Sequence, residues 1–460
     1  MAYPAAMRSH IAPLLALAAA GCAPQVRPAV APQVVASEWR DAGEVLNATP
    51  IAQSLADSLG STELKRLTAR ALAANADVGV ATARVERARA ELKVARGAML
   101  PAISVSAGIS DTHTDDKNAS VYRYSEGFGG IDISYDFDLF GSARATARAA
   151  GRRAQAASFD RNAAALVVEA DVARAFVQYC ALADRIHILD DNLRDARELE
   201  RIIGVRVREG ASTRLDLGLQ TIEVRQLETE RSRLVEAQSR TRNALAVLAG
   251  EEAPLFSIAT ADLSGLRIAS LRPVQPAELL SRRPDLQASE ARIAAASGDV
   301  QAARAAFLPS LSLSASGLAQ AATLGGPIGT TLAAGSGLIA PIFARGRLKG
   351  RLAGAAADQH ESVELYRKSL FNALSESQNA LAAVDQSARR HALVLDMVDH
   401  ARTSARLARL QYLEGDADLS ELLNAQTRLV GTEDSLAIAL QERLDAAIDL
   451  YAAMGGTPAS

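Results

Sequence analysis

From residue 131 to residue 139 apolar and polar side chains alternate without interruption. Ile131, Ile133, Tyr135, Phe137 and Leu139 fall on one side, and Asp132, Ser134, Asp136 and Asp138 fall on the other. A period of two over this length predicts a strand with one apolar and one wet face. Upstream, Ile103, Val105, Ala107 and Ile109 alternate with smaller residues and predict a partner strand, while the polar stretch 111–127, containing Asp115-Asp116-Lys117-Asn118, reads as an exposed loop between them. The period then changes. Residues 142–208 contain no proline, and Leu166, Ala170, Ala173, Val177 and Cys180 follow one another at spacings of four and three. That is coiled-coil spacing, and a helix over this stretch would reach roughly 100 Å. A polar break at 209–213 precedes a returning helix to about residue 250.

The same order of elements occurs a second time. An Ala/Arg-rich helical stretch runs into Leu100-Pro101 in the first copy and into Leu308-Pro309 in the second, 208 positions later. Asp138-Leu139-Phe140-Gly141 answers Pro341-Ile342-Phe343, with Phe140 and Phe343 separated by 203, and the turn glycines Gly210 and Gly415 are separated by 205. Leu370, Leu374, Ser377, Leu381 and Val384 repeat the helical spacing, and 414–418 repeats the polar break. A period this long marks a duplicated domain half, not a solenoid unit. The predicted organisation is a signal peptide at 1–21, an anchor tether and N-terminal segment at 22–61, and a first repeat at 62–250 with strands at about 101–111 and 128–140. A linker follows at 251–277, then a second repeat at 278–455 with strands at about 308–318 and 330–343, and a tail at 456–460.

Composition agrees with long packed helices: 49% of residues are hydrophobic but only 4% are aromatic. The formal charge of −3, without a basic run interleaved with aromatics, argues against nucleic acid as a partner. The histidines, His10, His113, His187, His360, His391 and His400, are scattered without metal-ligand spacing, and neither a Gly-rich phosphate loop nor a strained nucleophile turn is present. The expectation is a protein that is not an enzyme and holds no cofactor or metal.

At the N-terminus, Arg8 precedes the apolar run 11–20, which is too short to span a bilayer, and Ala19-Ala20-Gly21-Cys22 follows. This resembles a bacterial lipobox, with Cys22 as the lipidated residue; Ala19 departs from the usual Leu. The alternative is an ordinary secretory cleavage near Ala20 that leaves Cys22 as a loop thiol. Cys180, the other cysteine, sits at an apolar helical position and reads as buried and inert, with a Cys22–Cys180 disulfide in an oxidising compartment as the alternative. Ala23 after Cys22 is not the Asp that marks inner-membrane retention in many lipoproteins, so by that resemblance the anchor belongs in the outer membrane.

After the signal no apolar stretch reaches the roughly 18 residues a membrane helix needs. The apolar face of 131–139 still requires an apolar environment. Only closed barrels leave no unpaired backbone in lipid, and membrane barrels begin at about eight strands. Four strands per chain therefore predict a barrel shared by several chains.

With that shape the chain resembles the TolC-like outer-membrane efflux proteins, in particular the lipoprotein branch found beside drug-efflux pumps. The matching residues are Ala73-Ala74-Asn75-Ala76-Asp77, the two Leu-Pro strand entries, Asp138-Leu139-Phe140-Gly141, Pro341-Ile342-Phe343 and Arg282-Arg283-Pro284-Asp285. The resemblance implies a mainly α fold with a transmembrane β-barrel portion. It also implies a homotrimer whose twelve-stranded barrel is continued by a long α-helical periplasmic tunnel. The function implied is the passive exit duct of a tripartite efflux system, working with a periplasmic adaptor and an inner-membrane pump of the RND type.

The resemblance also assigns the turns. Glu209, Gly210, Glu414 and Gly415 become the periplasmic tips that contact the adaptor. Six and nine residues beyond Gly415, where the family commonly places acids that narrow the entrance, stand Glu421 and Asn424; Asn424 is an uncharged departure, and Asp416 and Asp418 are candidates to supply charge instead. Asp216 is the first-copy counterpart. Read without the family, these residues solvate a turn and place negative charge at a helix N-terminus. Two rival functions share much of the pattern: a type I secretion duct that passes polypeptides, and a periplasmic coiled-coil adaptor lipoprotein.

Overall fold

The computed structural model describes residues 38–40, 49–50, 54–114, 122–259, 262–267, 271–272, 274–321 and 326–456. The signal peptide, Cys22, most of the tether, the acidic run 115–118 and Gly325 lie outside the described residues. The main helices are α1 Leu55–Leu59, α2 Thr62–Ala74, α3 Ala76–Gly97, α4 Ser142–Arg208, α5 Arg214–Leu248, α6 Pro284–Ala305, α7 Arg347–Glu414 and α8 Leu419–Ala453. The long strands are β1 Ala102–Thr114, β2 Tyr122–Phe137, β3 Ser310–Ala321 and β4 Ile328–Ile339. Two compact units form, and each draws on both copies of the repeat: one from residues 84–158 and 288–367, the other from 33–83, 159–287 and 368–460.

The first unit contains a four-stranded antiparallel sheet in the order β1-β2-β3-β4. Its register sorts the side chains by chemistry. Val105, Ile131, Gly317 and Leu332 form one cross-strand row, and Phe137, Leu311 and Leu338 another, all on one face. The opposite face carries Ser104, Asp132, Ser316 and Ala333 in one row and Asp136, Ser312 and Gly337 in another. Because the pleat alternates strictly, a slip of one residue would exchange the two faces. Neither face is covered by the described residues: Leu332 is 88% exposed, and Ile103, Val105 and Ile131 are exposed too. The edges β1 and β4 each have a partner on one side only.

The strands differ in extent from the sequence expectation. β2 begins at Tyr122 and β1 continues to Thr114, so the connection is shorter than 111–127. Gly127, Gly129 and Gly130 interrupt the alternation there without interrupting the ladder. In the second copy β4 stops at Ile339, short of residue 343, because Pro341 has no N–H to donate to a ladder.

Helix packing in this unit uses small residues. A Cβ on Gly298 of α6 would stand 3.0 Å from Ala149 Cβ and 3.2 Å from the Ala145 carbonyl of α4. Ala145, Ala149, Ala291 and Ala295 are buried, so alanine sets a close spacing between helices. Arg148 donates to Gln301 at 3.1 Å, and Arg153 pairs with Asp299.

The second unit holds both helical hairpins. Leu182, Leu189, Leu193 and Ala196 of α4 pack on Val224, Leu227 and Leu234 of α5. Of the expected seam of α4, Ala170, Ala173, Val177 and Cys180 are buried and Leu166 is half-buried; of that of α7, Leu370, Ser377 and Leu381 are buried and Leu374 and Val384 are half-buried. Burial pushes the free thiol of Cys180 up to about 12, which keeps it protonated and unreactive. Trp39 Nε1 donates to the Val274 carbonyl at 2.7 Å, tying the N-terminal segment to the linker.

The duplication is plainest where each returning helix ends. Gly250 follows α5 with φ 70°, and a Cβ there would lie 2.5 Å from the Ala74 carbonyl oxygen; Gly455 follows α8 with φ 84°, and a Cβ there would lie 3.0 Å from the Arg282 carbonyl oxygen. The next side chain closes each contact. Asn75 Nδ2 donates to the Leu248 carbonyl at 3.0 Å, and Arg283 Nη1 donates to the Ala453 carbonyl at 3.2 Å. Asn75 Oδ1 also accepts from the N–H groups of Asp77 and Val78 at the start of α3, while Arg283 ion-pairs with Asp285 and Glu376 at 2.8 Å each. Asn75 and Arg283 stand 208 positions apart, the same offset as Pro101 and Pro309.

On α8, Asp445 carries an unfavourable burial. Among the described residues its Oδ1 is buried without a partner, and only Gln441 Nε2 reaches its other oxygen, at 3.4 Å. Burial pushes its pKa from 3.8 up to about 6 against that hydrogen bond, and Asp449 adds to the rise. The folded state then binds the proton more tightly than the unfolded one, so stability falls as pH rises from 3.8 through about 6. Asp445→Asn is expected to stabilise the protein by on the order of 1–2 kcal/mol at neutral pH and to flatten that fall, as read by urea unfolding across the pH range.

Candidate functional site

The hairpin turns are built the same way in both copies. At the end of α4, Gly210 adopts φ 76°, its N–H donates to the Val207 carbonyl at 3.2 Å, and the Ala211 N–H donates to the Arg206 carbonyl at 2.8 Å. At the end of α7, Gly415 adopts φ 88°, with its N–H on the Tyr412 carbonyl at 3.3 Å and the Asp416 N–H on the Gln411 carbonyl at 2.8 Å. This pairing satisfies the last carbonyls of each helix and requires a left-handed residue. Nothing lies within 4 Å of a Cβ built on either glycine, so backbone conformation and not packing demands glycine there.

Three residues later each chain enters its returning helix through a cap. Thr213 Oγ1 accepts from the Asp216 N–H at 3.1 Å, and Asp216 Oδ2 accepts from the Thr213 N–H at 2.9 Å and from Ser212 Oγ at 2.8 Å. The Thr213 N–H foremost, together with both hydroxyls, holds the Asp216 carboxyl below its usual range. Its charge thus serves its own helix. In the second copy Asp418 Oδ1 accepts from the Glu421 N–H at 2.9 Å. Here the residue three positions on does not reach back. Glu421 and Asn424 lie on one exposed face of α8, and among the described residues neither makes a side-chain hydrogen bond or ion pair. Glu209, Glu414 and Asp416 are likewise exposed and unpaired among the described residues.

The two tips touch. Leu199 and Ile203 of α4 pack with Ala408 and Tyr412 of α7 and with Leu419 and Leu422 of α8. The Arg206 guanidinium sits 5.3 Å from the centre of the Tyr412 ring and donates to the Leu413 carbonyl at 3.3 Å. Neither Arg206 nor Tyr412 stands out in the sequence, because the contact joins residues 206 positions apart. Above the tips a cavity of about 240 Å³ lies among α4, α5, α7 and α8, with Arg402, Arg406 and Arg409 facing Asp195 and Glu223. Burial raises the Glu223 carboxyl.

The sheet and the duplicated hairpins form a fold that known proteins share. The sequence profile described as outer membrane efflux protein matches residues 67–251 and 276–456. The chain belongs to the outer membrane efflux protein family. It is therefore an outer-membrane channel of an efflux system. The pyoverdine export outer membrane protein OpmQ of Pseudomonas putida is 34% identical over 424 residues, covering 88% of this chain and 89% of that protein. Outer membrane protein OprJ of Pseudomonas aeruginosa is 28% identical over 420 residues, 86% of this chain and 84% of its own. In solved structures, the open state of the Neisseria gonorrhoeae MtrE outer membrane channel superposes with a TM-score of 0.82 at 25% identity, covering 94% of this chain and 98% of that one. The outer-membrane channel OprN superposes with a TM-score of 0.83 and shows the same fold at 24% identity.

Proposed function

We propose that three copies of this chain close one twelve-stranded barrel and act as the passive exit duct of a tripartite efflux pump, with Cys22 lipidated at the periplasmic side of the outer membrane. The observation that carries this reading is the sheet: one face apolar, the other lined with Ser and Asp, both bare, and two unpaired edges. Each property is a liability in a single chain in water. All are resolved when β1 of one copy pairs with β4 of the next in a bilayer. The duct performs no chemistry, and the driving force comes from an inner-membrane pump of the RND type through a periplasmic adaptor seated at Glu209, Gly210, Glu414 and Gly415.

Similar proteins carry names for pyoverdine, toluene and solvent export, cargoes with little chemistry in common. That spread supports a duct that leaves selection to its pump. At the closed end we assign the constriction to Glu421 and Asn424, with Asp416 beside them, while Asp418 holds the helix cap and Asp216 its own capping box. Carboxylates repeated about a threefold axis favour cations over anions.

The experiment is ion selectivity in planar bilayers. A carboxylate that ions pass at about 4–8 Å in water contributes roughly 0.5–1 kcal/mol, about two- to fivefold in relative permeability. Glu421→Gln with Asp416→Asn is expected to lower the preference for potassium over chloride by that factor at unchanged trimer mass. An unaltered preference would remove the gate from these residues.

A further inference from the structure

All four helical connections leave the sheet at one end, since Ala102 pairs with Ser134, Phe137 with Leu311 and Ser310 with Ile339. The flanking segments 89–101, 138–153, 299–309 and 340–351 hold twelve Lys and Arg against three carboxylates, in a chain of formal charge −3. The first-copy flank is partly neutralised: Asp138 accepts from the N–H groups of Ala143 and Arg144 and ion-pairs with the Arg144 side chain, and Arg153 pairs with Asp299. Among the described residues the segment 340–351 has no such pairing. Pro341 takes the place of Asp138, and Arg345, Arg347, Lys349 and Arg351 are exposed, without an acid in the first turn of α7.

Cations at a helix N-terminus oppose the helix dipole, so these four do not serve α7 itself. They follow directly on an exposed apolar run, Leu338 at the end of β4, then Ile342 at 95% and Phe343 at 83% exposure. Apolar strand face, aromatic residue and basic cluster in that order match the passage from hydrocarbon through interface to headgroup. At the end of α3, Lys93 and Arg96 add two more exposed cations just before β1.

We infer that this basic collar binds the phosphate headgroups of anionic phospholipid, of the phosphatidylglycerol class, in the leaflet on the helical side of the barrel. The inference rests on the barrel reading above and extends the lipid contact from the apolar face of the sheet to the helix ends. Charge complementarity and continuity with that face commit it to lipid over other polyanions.

The test uses the full chain in nanodiscs containing phosphatidylethanolamine and phosphatidylglycerol, with native mass spectrometry of the lipid retained on release. Wild-type protein is expected to hold phosphatidylglycerol in several-fold excess over its share of the bilayer. R345Q/R347Q/K349Q/R351Q is expected to lose most of that excess, whereas R233Q/R240Q, which removes two exposed cations from α5, keeps it. Equal retention by the wild type and the fourfold variant would overturn the assignment, as would enrichment only of an added soluble polyanion such as a peptidoglycan fragment. Single-channel conductance of the same preparations separates the two claims. A fourfold variant that conducts but loses lipid supports the collar, and a wild type that never conducts fails the barrel reading itself.

Discussion

Leu332→Arg is expected to prevent insertion of the barrel, and Thr331→Arg, one residue away, is expected to be tolerated. Leu332 lies on the apolar face of β4 in a row with Gly317, Ile131 and Val105, whereas Thr331 pairs with Leu318 on the opposite face. A charge on the lipid face of a membrane barrel costs about 2–4 kcal/mol near the midplane, and a trimer would carry three. On the face lined by Ser and Asp the same side chain stays in water. Outer-membrane yield and heat-modifiable migration on gels would read the difference. Comparable yields for the two variants would mean that the sheet does not separate lipid from water as its register indicates.

The second large effect is expected at Gly250. Alanine there would need a Cβ 2.5 Å from the backbone oxygen of Ala74, the last residue of α2, at φ 70°. Backbone gives way less readily than a side chain, so Gly250→Ala should cost roughly 3–4 kcal/mol. Gly210→Ala has the same left-handed backbone but open space around it, and should cost about 1 kcal/mol. Urea midpoints of the two variants would separate a packing requirement from a conformational one. Similar losses for both would show that the seam of Ala74 and Leu248 relaxes freely.

The long helices were legible because their signals are local. The absence of proline over 142–208 and the spacing from Leu166 to Cys180 marked α4, and the glycine after each long helix marked where α4 and α7 end. The strand ending at Phe137 was legible for the same reason, since its two faces differ sharply in polarity. The second-copy strands were blurred because Ser, Ala and Gly carry little hydrophobic contrast, and their ends shifted accordingly.

The site was legible only as a location. Gly210 and Gly415 marked the turns, but nothing local distinguishes Asp216, engaged in a capping box, from Glu421, which is free of one. That difference depends on Thr213 standing where the second copy has Asp418. Similarly, Asn75 and Arg283 were visible as parts of matching motifs, while their common task of holding the carbonyl at the end of a returning helix joins residues more than 160 positions apart. Arg206 against Tyr412 is invisible to any local reading.

Several copies of the chain are proposed to share one barrel that conducts. The most direct measurement is single-channel conductance of detergent-purified protein in a planar bilayer, made together with its mass in detergent. A trimeric mass and small, cation-preferring openings are expected. A monomer that never conducts would contradict the shared barrel.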